Sequence, residues 1–328
     1  MPKRVLITGG CGFLGHHIVD HVISNTNWEI VIIDKLSYAS NGFDRLRDSN
    51  LFNESRIDIL THDLSQPIVD GVASEIGNVD YVIHAAGETH VDRSLLDPRP
   101  FVLSNVLGTM ELLEWARKNP CMEKIIYVST DEVFGPSPTR EFSGFEEWDR
   151  YHSSTPYAAS KAGGEELCIA YHNAFKLPIS IIHTMNLFGE RQFPEKFIPT
   201  MIKKIIKEEP VKLHTGPNGE FSTRCWIHCR NVADAILLLL AEGEDGEKYN
   251  VCGDQRSNFQ LFSIASAILG KLHTYESVPG SMARAGHDAH YALNGSRMAK
   301  MGWKAPVDFT NSFSRTVKWF NDNQKWLK

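Results

Sequence analysis

With 328 residues, 42% hydrophobic and 23% charged, the chain has the composition of a folded protein with one large or two closely joined domains, which excludes a disordered or fibrous molecule. A net charge of −6 offers no global field for nucleic acid or an anionic membrane, so an anionic ligand would need local Arg and Lys. Six Cys in a chain this long point to free thiols in a reducing compartment, and no apolar run approaches the ~20 residues of a membrane span; the expectation is a soluble cytoplasmic protein without a leader.

Through the first half, short β-branched runs alternate with helical patterns. Val5–Thr8, Ile30–Ile33, Arg56–Leu60, Tyr81–His84, Ile125–Ser129 and Ile179–His183 are predicted strands, with helices at Phe101–Lys118 and Tyr157–Phe175. The strands are continuous apolar runs, as in a parallel sheet buried on both faces. The predicted fold is therefore α/β, a doubly wound parallel Rossmann-type sheet with a smaller, interleaved C-terminal substrate domain. Residues 1–188 plus about 225–252 are assigned to cofactor binding, and 189–224 plus 253–328 to substrate. After Gly189, prolines interrupt the chain and strands become scarce. Arg224–Leu240 reads as a strand and a buried helix that could return to the sheet, and 258–328 as mostly helical with a loop at Val278–His287.

The first strand runs straight into Thr8-Gly9-Gly10-Cys11-Gly12-Phe13-Leu14-Gly15, which opens a helix. Glycines there allow a tight turn and close backbone approach to a pyrophosphate, which the helix N-terminus attracts. Asp34 ends the second strand, 22 residues after Gly12. A carboxylate at that position can bond the adenosine ribose hydroxyls and repel a 2′-phosphate, favouring NAD over NADP despite the neighbouring Lys35. Asp63 and Leu64 could flank adenine. His84-Ala85-Ala86-Gly87 supplies small residues where a cofactor would lie against backbone.

Tyr157 and Lys161 are spaced i, i+4 at a helix start, on one face. An ammonium and a positively charged nicotinamide favour a phenolate, turning a poor base into a usable one, and Lys161 could also hold the nicotinamide ribose. The fifth strand ends in Thr130-Asp131-Glu132. Thr130 could bond a sugar 4-oxygen beside Tyr157, and two carboxylates at a strand end supply an acid and a base beyond what hydride transfer needs. His84, Glu88, His90 and Asp92 invite a metal reading, but this chemistry needs no metal. The basic run at Lys203–Lys207 reads as the solvated side of an amphipathic helix.

These segments, with His84–Ser94, Asn186, Phe193-Pro194-Glu195-Lys196 and Gly286-His287-Asp288, resemble the extended short-chain dehydrogenase/reductase family along nearly the whole chain, and within it the dTDP-glucose 4,6-dehydratases. The resemblance implies NAD-dependent conversion of dTDP-glucose or a related nucleotide-hexose to the 4-keto-6-deoxy sugar. It implies substrate contacts from Thr89, Thr130, Asn186, Glu195, Lys196, Arg224, Gln255, Arg284 and His287, and places Ser37, Ser104 and Leu187 near the cofactor. It also implies a homodimer through the Phe101–Lys118 and Tyr157–Phe175 helices. Phe134, His183, Leu187, Glu190, Cys225 and Gln255 stand where the family usually has Tyr, Arg, Asn, Pro, Asp and Asn, so the nucleotide stays open. Two alternatives remain, a UDP-sugar 4-epimerase or decarboxylase using the same Tyr and Lys, and a non-catalytic NAD sensor.

Overall fold

A computed structural model describes residues 2–137, 142–216, 219–271, 274–279 and 292–328. Seven strands form one sheet: β1 (Arg4–Thr8), β2 (Glu29–Asp34), β3 (Ile57–Thr61), β4 (Tyr81–His84), β5 (Lys124–Thr130), β6 (Ile179–Thr184) and, much later in the chain, β10 (Lys248–Val251). Their order is β10-β6-β5-β4-β1-β2-β3, and every pairing is parallel. All six predicted strands are present within a residue or two, in the doubly wound topology expected.

The uninterrupted apolar runs follow from this architecture. Val5, Ile7, Ile30 and Ile32 pack on one face, with Ile18, Val22, Ile236 and Leu239 from the helices Phe13–Asn25 and Cys229–Glu242. Leu6, Val31 and Ile33, the residues between them, pack on the other face with Leu112, Leu113, Trp115 and Cys168. Alternate side chains of one strand thus serve two cores, and neither set can be polar.

Three features differ from the sequence expectation. The predicted helix at Phe101–Lys118 is three joined segments, Arg99–Val102, a wide π turn at Leu103–Leu107, and Gly108–Ala116. A π turn inserts a residue into the helical ladder and has no periodicity signal strong enough to reveal it. Second, strands are not scarce after Gly189. Besides β10, the chain forms β8 (Val211–Thr215), β9 (Thr223–His228), β11 (Asp254–Ser257) and β12 (Tyr275–Pro279), following β7 (Asn186–Phe188). They make a three-stranded sheet, β11-β9-β7, and a two-stranded one, β12-β8. They are short, and β11 reads Asp-Gln-Arg-Ser, so no apolar run marks them. Third, the predicted loop at Val278–His287 begins inside β12, and its remainder lies outside the described residues. The Arg224–Leu240 run does contain a strand and a buried helix, but β9 joins the small sheet and β10 makes the return to the large one.

A third core unites Phe188, Ile198, Ile202, Leu213, Phe313 and Phe320 from the later part of the chain. No helix among the described residues is long and apolar enough to cross a membrane, and the six cysteines are unpaired.

The Pro156–Phe175 helix starts where the Thr155 hydroxyl accepts from Ala158 N at 3.2 Å, with Pro156 in the first turn. It then lies so close to its neighbours that a Cβ at Gly164 would overlap the Tyr127 hydroxyl and approach the Asn105 carbonyl oxygen to 2.6 Å. Gly164→Ala is therefore expected to destabilise the fold by about 1–3 kcal/mol, the usual penalty for overpacking. Urea unfolding measures this directly, and a variant as stable as the parent would contradict the close approach.

Candidate active site

Parallel strands bring all their carboxyl ends to one edge, and a cavity opens there over β1, β2, β4 and β5. Gly9, Gly12, Phe13, Leu14 and Gly15 form its floor. A Cβ at Gly15 would fall on the Gly9 carbonyl, so glycine alone lets the helix begin this close to the strand. Asp34 and Lys35 line the wall beyond β2, with Ser37, Asp63 and Leu64 beside them. Ala85, Ala86, Ser104 and Leu187 line the opposite side. Every residue expected at the cofactor thus faces the one cavity.

Asp34 is buried, and burial raises its pKa above the carboxylate norm while two backbone bonds pull it back. Leu36 N donates to one oxygen at 2.8 Å and Cys11 N to the other at 3.0 Å. Each oxygen keeps lone pairs for further donors. Together with the glycine floor, this donor-ready carboxylate fits a dinucleotide with a free adenosine ribose.

Tyr157, Lys161, Thr130, Asp131 and Glu132 line the same cavity, joined by Thr89, Asn186, Glu195 and Lys196. Burial pushes the Tyr157 phenol well above its ordinary pKa and the Glu132 charge adds to this, while a hydrogen bond with Thr130 opposes it. The Lys161 ammonium donates to the Val128 carbonyl at 2.7 Å and lies 4.2 Å from the centre of the Tyr127 ring. In this structure the phenol is thus shifted up, against the sequence expectation, because burial and the Glu132 charge outweigh the hydrogen bond with Thr130. A positively charged nicotinamide would act in the opposite sense.

Asp131 is 4% exposed, and burial followed by the Glu132 charge pushes it up to about 7. Its Oδ1 accepts from the Thr130 hydroxyl at 3.2 Å, while its Oδ2 has no hydrogen-bond partner among the described residues. A carboxyl in this state holds its proton near neutrality and can release it. The chemistry available is therefore hydroxyl oxidation at Tyr157 together with acid and base catalysis at the neighbouring pair.

Arg224 and Gln255 do not line the cavity. They lie on β9 and β11, with Gln255 opposite Cys225 and Arg224 opposite Arg256, although the Arg224 charge is felt at Asp131. Arg284 and His287 lie outside the described residues. Of the four residues that suggested a metal, His84 is buried between the Thr8 and Thr109 hydroxyls, at 2.7 and 3.0 Å, and His90 lies 3.5 Å from Glu195. No cluster of three or more His, Cys, Asp or Glu among the described residues is arranged for a metal ion.

Sequence reasoning missed the supporting side chains. Arg45 is fully buried and donates to the carbonyls of Ala39 and Ser40, at 2.7 and 2.5 Å, and of Arg191 at 3.1 Å, fixing the cavity-lining loop after Asp34. Asn105 donates to the Ser160 hydroxyl at 2.8 Å and accepts from Glu88 N at 2.9 Å, tying the loop after β4 to the helix that carries Tyr157. Neither sits in a motif, and an Arg in the short charged helix Asp44–Asp48 looks solvent-facing.

Fold and cavity together define an α/β dinucleotide-binding enzyme. Residues 5–252 match the NAD dependent epimerase/dehydratase family, and the chain belongs to it. It is 35% identical to a probable dTDP-glucose 4,6-dehydratase of Sinorhizobium fredii, with 98% of this chain and 94% of the relative covered. It is also similar to the structure of a dTDP-glucose 4,6-dehydratase from Streptomyces venezuelae solved with NAD bound, at 31% identity, TM-score 0.89 and 99% coverage of both chains. A Thermus thermophilus UDP-glucose 4-epimerase in complex with NAD superposes at TM-score 0.86 and 27% identity, with 97% of this chain and 99% of that one covered.

The Asp34 geometry predicts that the protein binds NAD in preference to NADP, since like-charge juxtaposition costs several kcal/mol. Titration with both nucleotides tests this, and tighter binding of NADP would contradict it. Asp34→Ala should narrow the difference.

Proposed function

We propose that this chain is an NAD-dependent nucleotide-hexose 4,6-dehydratase, a hydro-lyase acting on dTDP-glucose. The observation that carries the reading is the buried Asp131 beside Glu132, in the same cavity as Tyr157 and Thr130. Oxidation and epimerisation need the Tyr and Lys but neither carboxylate, so the pair favours elimination over the epimerase reading. The family relatives named dTDP-glucose 4,6-dehydratase support the same choice.

NAD, held by the glycine turn, Asp34 and Lys161, would supply the hydride acceptor and donor that the reaction needs. Tyr157 removes the 4-hydroxyl proton as the C4 hydride leaves, and Thr130 bonds the 4-oxygen. The C4 ketone acidifies the C5 hydrogen, which Glu132 takes as a proton. Asp131 gives its proton to the departing 6-hydroxyl, which leaves as water. Hydride addition at C6 with reprotonation at C5 completes the 4-keto-6-deoxy sugar, and the cofactor ends in its starting state. Lys161 holds the nicotinamide ribose. Thr89, Asn186, Glu195 and Lys196 are the proposed contacts to sugar and phosphate from the lining of the cavity, with Arg224, Gln255, Arg284 and His287 assigned to the nucleotide by family resemblance alone.

We extend the proposal to assembly. Leu96, Val102 and Leu103 are 87%, 51% and 49% exposed, an apolar strip on and beside the Arg99–Ala116 helical segments. Such a strip on a free chain marks an interface, which supports a homodimer through these segments and the Pro156–Phe175 helix. The cofactor and substrate parts are proposed to divide as 1–188 plus about 225–252 and the remainder, in a cytoplasmic enzyme.

Asp131→Asn and Glu132→Gln should still reduce NAD in the presence of dTDP-glucose but eliminate water about 10²–10⁴-fold more slowly, accumulating NADH and the 4-keto-hexose. Because the Asp131 carboxyl is raised to about 7 and acts protonated, elimination should be fastest below that pH and decline as pH rises through it. Stopped-flow absorbance and product analysis, with UDP-glucose as the competing substrate, read both effects. Wild-type rates of 4-keto-6-deoxy product in both variants would remove the two carboxylates from the elimination, and a 4-epimeric or decarboxylated product from the unmodified protein would return the assignment to an epimerase or decarboxylase.

A further inference from the structure

The reaction above leaves one fully buried carboxylate without a role. Glu165 lies one helical turn beyond Lys161, as Lys161 lies one turn beyond Tyr157. A buried charge is retained only where partners replace its water. Glu165 accepts from the Ser129 hydroxyl on β5 and from the Tyr151 hydroxyl, and its Oε2 lies 3.1 Å from His183 Nε2 on β6 and 3.7 Å from Lys248 Nζ on β10.

Hydrogen bonds fix the far side of this cluster as well. Asn250 donates its amide hydrogens to the carbonyls of Phe145, at 2.9 Å, and Asn294, at 3.1 Å, so its Oδ1 faces outward as an acceptor. That oxygen sits 2.9 Å from His183 Nδ1. The two ring nitrogens of His183 thus face Asn250 on one side and Glu165 on the other. His183 and Lys248 thus face the Glu165 carboxylate directly, while Lys161 lies one helical turn away from it.

We propose that Glu165 is a positioning residue for the oxidation step, whose carboxylate anchors the strand residue before Thr130 and supplies the negative charge that keeps the Lys161 ammonium protonated. The inference rests on the role given to Lys161 above. Two adjacent ties hold the helix on β5, Glu165 to the Ser129 hydroxyl and Lys161 to the Val128 carbonyl. They set Tyr157, one turn earlier, beside Thr130 at the strand end. Electrostatics point the same way. Burial pulls the Lys161 ammonium down to about 8, and Glu165 is the largest influence opposing it. The other groups facing Lys161 are the Tyr127 ring of β5, His84 of β4 and Cys168 of its own helix. Neither the ring nor the histidine, held by two hydroxyls, brings a full negative charge.

The test is the pH profile of kcat/KM for NADH formation. In Glu165→Gln the alkaline limb, which reports loss of the Lys161 proton, should move about one unit to lower pH, the shift expected for removing one neighbouring opposite charge. Glu165→Asp keeps the charge and should keep the limb in place at reduced rate. A merely structural lesion lowers the rate at every pH without moving the limb, so an unmoved limb in Glu165→Gln overturns the proposal. Should that variant fail to fold, the double variant Glu165→Gln/His183→Gln, which replaces both members of that contact, is read the same way. Lys161→Met separates the two levels. If it is inactive while the Glu165→Gln limb stays put, this inference alone falls. If Lys161→Met turns over normally, the role of Lys161 falls and takes this inference with it.

Discussion

The parallel pairing of β5 between β4 and β6 is the constraint from which the site follows. Thr130 is in register with Thr184, and the Thr184 hydroxyl donates to the Ser129 carbonyl at 3.0 Å, so the last residues of β5 cannot turn or slide independently of the sheet. Asp131 and Glu132 begin the short turn that Thr130 caps, their direction set by the strand rather than by a free loop. The Pro156–Phe175 helix is then pressed onto β5 closely enough that only glycine fits at position 164. Strand and helix together carry Thr130, Asp131, Glu132, Tyr157 and Lys161, while β1 and β2 of the same sheet carry the glycine turn and Asp34.

One charge in this assembly has two effects. Glu132 raises both Asp131 and Tyr157, after burial has already done so. The result is a resting site in which a carboxyl and a phenol both hold protons beside an anion. The proposed reaction uses that state in order. Ionising the phenol requires the positive charge that arrives with the cofactor, whereas Asp131 already holds the proton that elimination consumes.

What was legible in the sequence was whatever depends on neighbours in the chain. The glycine turn, Asp34 at a strand end, Tyr157 and Lys161 one turn apart and the Thr130–Glu132 triplet are local patterns, and the structure gathers all of them around one cavity. The six early strands were visible because burial in the sheet makes most of their positions apolar, even though the edge strand β3 keeps an exposed Asp58. The polar strand β11 and the three-residue β7 carry no such signature, and the π turn at Leu103–Leu107 looks like ordinary helix. Arg45, Asn105 and Glu165 were hidden for a different reason. Their partners lie up to 146, 55 and 83 positions along the chain, and a buried polar residue is distinguishable from a solvated one only when those partners are known. His183, noted only as standing where Arg is usual, becomes informative once it faces Glu165.

The central claim is that one hydride leaves C4 and returns to C6 within a single closed site while two carboxylates remove water between those events. Turnover of dTDP-glucose deuterated at C4 tests it most directly. The account predicts deuterium in the C6 methyl group of a 4-keto product, and in unlabelled substrate run in deuterated water a single solvent-derived label at C5. Deuterium retained at C4 of a 4-epimeric sugar, or lost to solvent, would contradict it.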